Sequence, residues 1–175
     1  MRVGAGVARG RRIEAPPGRT TRPTSDRVRD AIANSLGSLQ LVDGATVVDL
    51  WAGSGALGIE LLSRGATSAT FVEADRRAVS TIRDNLDRTD LAAVATVVCD
   101  DALDWCRHGA VHDLALCDPP YVFDDWPALF AAVPAPFVVA ESDRSLPVPQ
   151  GWGLVREKRY GSTVVTFLRR QEPAP

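Results

Sequence analysis

The chain has only three cysteines, Cys99, Cys106 and Cys117; no two are spaced C-x-x-C, and each sits in or beside an apolar run. That excludes a disulfide framework and a thiolate metal knuckle, so all three read as buried thiols. Histidine is scarcer still. His108 and His112 have no acidic or cysteine partner at metal-ligand spacing, so both are expected to be structural and no metal is predicted. Long apolar runs are missing too: the longest low-charge stretch, Ala128 to Ala140, is too short to span a bilayer and is broken by prolines. The first residues carry charge without the apolar centre of a secretion signal, so a cytoplasmic protein with no membrane contact is expected.

With 45% hydrophobic and 24% charged residues, a chain of 175 residues can build one sizeable core but not two ordinary ones. A single compact domain acting as a monomer is expected. The net charge of −2 conceals an uneven distribution. Residues 1 to 29 hold eight arginines (2, 9, 11, 12, 19, 22, 27 and 29) against Glu14 and Asp26, a balance of +6. The remainder holds twelve basic and twenty acidic side chains, a balance of −8. A basic arm, residues 1–24, therefore precedes an acidic body, residues 25–175, and an arginine cluster of this density suits phosphate contacts.

Apolar periodicity alternates between strand and helix, the mark of a doubly wound α/β sheet. The arm has room for a short hairpin before a proline-rich crossover. Thr24 or Ser25 can cap a helix over 26–39, with Val28, Ile32 and Leu36 on one face. Strands are expected over 46–50, 69–73, 94–98, 114–117 and 136–141, with helices over 56–64, 76–88, 101–108 and 126–133. All five strands should be parallel. Residues 152–158 and 163–168, joined through Tyr160-Gly161, should add an antiparallel hairpin at the sheet edge, making a mostly parallel, Rossmann-like sheet of seven strands.

The fourth strand, Leu114-Ala115-Leu116-Cys117, delivers Asp118-Pro119-Pro120-Tyr121 to its carboxyl end. Two prolines stiffen the turn and leave both their carbonyls able to accept hydrogen bonds. A carboxylate and a rigid carbonyl can each take one hydrogen of a base amino group while Tyr121 offers a stacking face. After the first strand, Gly53, Gly55 and Gly58 fit G-x-G-x-x-G, the turn that lets a nucleotide cofactor approach the backbone. Glu73, ending the second strand twenty residues past Gly53, is placed to bind ribose hydroxyls, which by itself also fits a dinucleotide. Asp49, just before the turn, would repel a pyrophosphate but attract an ammonium or a sulfonium, and S-adenosylmethionine carries both. Asp101, after the third strand, could accept from an adenine amino group, or merely cap the next helix. Because sites in open α/β sheets lie beyond the strands' carboxyl ends, these acids from four strands should meet in one crevice.

The run Asp49-Leu50-Trp51-Ala52-Gly53-Ser54-Gly55-Ala56-Leu57-Gly58 together with Asp118-Pro119-Pro120-Tyr121 resembles the class I S-adenosylmethionine-dependent amino-methyltransferases. Gly6-Val7-Ala8-Arg9-Gly10-Arg11-Arg12-Ile13 and Arg22-Pro23-Thr24-Ser25-Asp26-Arg27-Val28-Arg29 are similar to the RsmD family, which methylates guanine N2 in bacterial 16S ribosomal RNA. The likeness runs from about residue 2 to about residue 169. It implies a class I methyltransferase fold, S-adenosylmethionine as cofactor, S-adenosylhomocysteine as product, and ribosomal RNA or the small-subunit particle as partner. It implies cofactor contacts at Asp49, Ala52, Gly53, Gly55, Gly58, Glu73, Asp101 and Ala102. Catalytic roles would fall to Asp118, Pro119, Pro120 and Tyr121, and substrate contacts to Arg9, Arg11, Arg12, Arg22 and Arg27. Trp51 departs from the pattern, where a smaller aromatic such as Phe is expected. Other readings are a DNA adenine or cytosine amino-methyltransferase, a nicotinamide oxidoreductase, a C5-pyrimidine methyltransferase using Cys117, and a non-catalytic RNA-binding assembly factor.

Overall fold

Short runs rich in β-branched residues and bounded by turn formers become the strands of a central sheet in the computed structural model, which describes residues 1–17 and 26–171. β1 (Thr46–Leu50), β2 (Ser68–Val72), β3 (Ala95–Val98), β4 (Leu114–Cys117) and β5 (Phe137–Ser142) are parallel; β6 (Trp152–Tyr160) and β7 (Thr163–Arg170) form an antiparallel hairpin. The order across the sheet is β3-β2-β1-β4-β5-β7-β6. The chain winds outward from β1 to β3, then returns to β4 on β1's other side. A topological switch point, where open α/β sheets bind ligands, therefore falls between β1 and β4.

Helices cover both faces, each by an apolar stripe. On one face α1 (Asp26–Ser38) buries Val28, Ile32 and Leu36, α2 (Ala56–Ser63) buries Ile59, Leu61 and Leu62, and α3 (Arg76–Thr89) buries Ile82 and Leu86, all against Val47, Phe71, Leu116 and Val139. On the other, α4 (Ala102–Cys106) and α5 (Trp126–Ala132) pack Cys106, Trp126, Leu129 and Phe130 onto Val48, Leu50, Cys117 and Val138. The expected segments are all present, with shifted ends. The helix expected over 101–108 shrinks because Asp101 sits outside it as cap, accepting from Leu103 N at 2.9 Å and Asp104 N at 3.1 Å. Strand 94–98 loses its first residue to a 3₁₀ turn, Ala92–Val94. The hairpin strands run two residues further than apolar alternation suggests, since backbone pairing continues through the exposed ends. Thr24 and Ser25, the expected caps of α1, lie outside the described residues.

Residues 1–13 double back on themselves, with Arg2 bridging Arg12 and Val3 N donating to Arg11 O at 3.0 Å. Val3, Ala8 and Ile13 enter the core of the α1–α3 face. What fastens this hairpin is α2. The buried Glu60 carboxylate accepts from Gly4 N at 2.7 Å, Ala5 N at 3.1 Å and Arg64 Nε at 2.7 Å, and lies 3.6 Å from Arg29 Nε. Ser63 accepts from Ala8 N through its hydroxyl and from Val7 N through its carbonyl. Gly6, at φ 81°, lies so close that a Cβ would fall 1.7 Å from the Ser63 carbonyl oxygen. Only glycine fits there.

One reading of the thiols needs correcting. Cys106 and Cys117 are buried, but Cys99 is exposed, because it follows the end of β3, an edge strand with no neighbour to cover it.

Candidate active site at the strand ends

Across the sheet, acidic residues past or near the carboxyl ends read Asp101 (after Asp100), Glu73, Asp49, Asp118 and Glu141, on β3, β2, β1, β4 and β5 in turn. Over the last three opens a cavity of about 400 Å³. Asp49, Trp51, Ala52 and Gly53 wall one side and Asp118, Pro119, Pro120 and Tyr121 the other; Glu141 and the β6–β7 turn, Tyr160 to Thr163, close the end. Both tyrosines of the chain line it.

Asp49 is 5% exposed, and its Oδ2 accepts from Gly58 N at 3.0 Å. Gly55, the residue preceding α2, has no side chain to cap the helix, so the carboxylate of the preceding strand satisfies one of its first amides instead. Burial, opposed by the Gly58 hydrogen bond and reinforced by the charges of Asp118 and Glu73, pushes the Asp49 carboxyl up to about 8. A cation arriving here would be strongly favoured. The turn itself is left-handed at Trp51 (φ 56°), Gly53 and Gly55. For Trp51 that conformation costs about 1–2 kcal/mol. Its ring packs on Phe123, centroids 5.1 Å apart, tying the glycine turn to the loop after Tyr121. At Gly58 a Cβ would stand 2.5 Å from the Phe71 ring and 2.9 Å from Asp49 Oδ2, so α2 can approach β1 and β2 this closely only without a side chain.

Asp118 is exposed within the cavity mouth while Pro119 is buried. The expectation that both proline carbonyls stay open is corrected at Pro120, whose carbonyl accepts from Phe123 N at 2.7 Å and closes the turn. Among the described residues no backbone N–H donates to the Pro119 carbonyl. Cys117 faces the opposite side of the sheet, where burial pushes its thiol well up, so it is poorly placed as a nucleophile in this cavity.

Glu73 lies beside rather than within the cavity wall. Its carboxylate accepts from Gly53 N at 2.8 Å and from Asp75 N at 2.9 Å, which fixes the glycine turn against β2. Asp101 stands one strand further out, and Ala102 is packed in the core of the α4–α5 face. Arg9, Arg11, Arg12 and Arg27 are exposed, Arg11 in an ion pair with Asp90 at 2.5 Å; Arg22 lies outside the described residues. Arg29 is only 2% exposed: it donates to Arg2 O and Asp26 and lines the cavity. Sequence reasoning missed Glu141, although Phe137 to Glu141 is an apolar run closed by an acid, the same signal that singled out Glu73. It also missed the Tyr160 turn and Arg29, which reach the cavity only through tertiary folding.

His112 bridges the Ala110 carbonyl and Thr70 Oγ1, and burial lowers its pKa. Among the described residues no group of three or more His, Cys, Asp or Glu could hold a metal ion, and no helix is long and apolar enough to cross a membrane.

The family described as "Conserved hypothetical protein 95" matches residues 1–169. The ribosomal RNA small subunit methyltransferase D of Escherichia coli K12 is 36% identical over 98% of this chain and 90% of its own length. The Bacillus subtilis protein YlbH is 35% identical over 98% of this chain and all of its own. Among solved structures, the Escherichia coli protein yhhF superposes with a TM-score of 0.85 at 32% identity, covering 99% of both chains.

Proposed function

The chain belongs to the RsmD family of S-adenosylmethionine-dependent small-subunit ribosomal RNA methyltransferases, and from that premise we propose that it methylates the exocyclic N2 amine of a guanine in 16S ribosomal RNA. The observation that carries the reading is the buried Asp49 carboxyl beneath the glycine turn, held among Asp118 and Glu73 and next to an acceptor-rich proline turn. A pyrophosphate would meet the charges of Asp118 and Glu73 and leave Asp49 protonated, whereas a cation would draw its proton off, which disfavours a nicotinamide dinucleotide. A group with two cations and no phosphate fits.

Asp49, Ala52, Gly53, Gly55, Gly58 and Glu73 would hold S-adenosylmethionine, with Asp101 and Ala102 at its outer side. When bound, the cofactor supplies an electrophilic methyl on a sulfonium. The chain's own residues have a different task. Asp118 and the Pro119 carbonyl would each accept one hydrogen of the target amine, which turns the nitrogen lone pair out of the base plane. Tyr121 would stack on the base, and Pro120, fixed by Phe123, would keep the turn rigid. Positioning supplies most of the rate, because a neutral amine needs no base before it attacks. The proton shed afterwards can pass to Asp118 or water. Arg9, Arg12 and Arg27, exposed in the basic first stretch of the chain, would meet RNA phosphates. The cytoplasm, where ribosomal RNA is made, is the compartment this activity needs.

A DNA amino-methyltransferase is the second reading, since an Asp-Pro-Pro-Tyr turn suits adenine and cytosine amines too. Incubation with labelled S-adenosylmethionine and small subunits lacking the modification, naked ribosomal RNA or duplex DNA, with products digested and identified by mass, separates them. N2-methylguanine from the ribosomal substrates is expected, and Asp118→Ala should lower its formation about 100-fold or more. Methylated DNA alone, or full transfer by the Asp118→Ala protein, overturns the reading.

A further inference from the structure

Glu141 has no part in the mechanism so far, yet it is 4% exposed and lines the same cavity as Asp118. Its placement follows from register. Leu116 pairs with Val139 and Cys117 with Ala140 across parallel β4 and β5. Leu116 and Val139 pack on the α1–α3 face, Cys117 and Ala140 on the opposite one. Alternation therefore returns both Asp118 and Glu141 to the cavity side, on neighbouring strands roughly 4.8 Å apart. The antiparallel pairing of Glu141 with Val165 locks that strand end from its other flank.

The cavity thus offers three acceptor groups along one side and the adjoining end: the Asp118 carboxylate, the Pro119 carbonyl and the Glu141 carboxylate. An ionised carboxylate accepts only. In guanine the N2 amine carries two hydrogens and the adjoining ring nitrogen N1 carries a third. Adenine and cytosine instead place a ring lone pair beside their amine. Resting on the guanine reading above, we propose that Glu141 accepts the N1–H of the target guanine and is the residue that selects guanine over bases with a lone pair at that position. A lone pair set against a buried carboxylate leaves both unsatisfied and repelling, which is discrimination by a built-in penalty as much as by attraction.

The test replaces the methylated guanine, once mapped in the small-subunit RNA, by 2,6-diaminopurine, which keeps the N2 amine but has a lone pair at N1. Reconstituted particles carrying either base are compared by kcat/KM. The wild-type protein should favour guanine by about 100-fold or more. In Glu141→Gln the amide can turn either an N–H or an oxygen to the base, so the preference should fall at least tenfold, with diaminopurine methylated faster than by wild type. Wild type using both bases equally, or Glu141→Gln slowing both alike as a purely structural residue would, overturns the inference while the proposed function stands. The wild-type comparison needs no variant to fold. Failure of wild type to methylate the guanine particle overturns the proposed function and this inference with it.

Discussion

Asp49 titrates where its surroundings, not its own chemistry, decide. Its carboxyl is raised from 3.8 to about 8, so between those values the folded protein holds a proton that the unfolded chain has lost. Stability must then decline as pH rises from about 4 to about 8 and flatten above, the opposite of the usual carboxylate trend. Melting curves across that range should show the decline, and Asp49→Asn should remove most of it. Binding of S-adenosylmethionine should release a proton below pH 8, and affinity should rise toward pH 8 by up to about tenfold per pH unit. Calorimetry in buffers of different ionisation heat checks the proton count; no proton release at pH 6.5 would contradict the assignment of Asp49 to the cofactor's cation. The acid itself was legible in the sequence, since a strand closed by Asp before a glycine turn is a local pattern. Its protonation was not, because burial under α2 and the charges of Asp118 and Glu73 arise only when three strand ends meet.

At the scale of elements, the N-terminal hairpin separates two kinds of arginine that composition counts alike. Arg29 is buried, Arg11 is engaged with Asp90 and the Arg88 carbonyl, and Arg9 and Arg12 face solvent. Replacing Arg9 and Arg12 by Ala should therefore flatten the salt dependence of RNA binding by roughly 0.7 to 0.9 log units per lost phosphate contact. Arg11→Ala should change it less, as that charge is already compensated. Equal slopes for wild type and the double variant in filter binding would remove these arginines from the RNA interface. Every strand and helix expected of the body was readable, since each is set by a local apolar period. The docking of residues 1–13 onto Glu60 and Ser63 was not, because it depends on contacts some 55 residues apart between short polar side chains and backbone.

For the molecule as a whole, that docking makes the hairpin part of the core rather than an appendage. Glu60 is fully buried and holds the hairpin's amides together with Arg29 and Arg64, so Glu60→Ala strands a guanidinium and opens two amides. Such a loss should cost about 3–5 kcal/mol in urea unfolding. The wild-type chain should unfold in one transition, with tryptophan fluorescence and circular dichroism coinciding; an earlier, separate loss of the hairpin would show that it folds independently.

The sheet order carries a consequence in time. β7, made after β6, is inserted between β5 and β6, so β5 keeps an unpaired edge until residues 163–170 are available. On a ribosome synthesising this chain, the half-built sheet is exposed to mispairing until β7 has emerged. Glu141 lacks its β7 flank, and the cavity its end wall, before that moment. The cavity would thus be completed in one step, by the strand that pairs β5 with the hairpin.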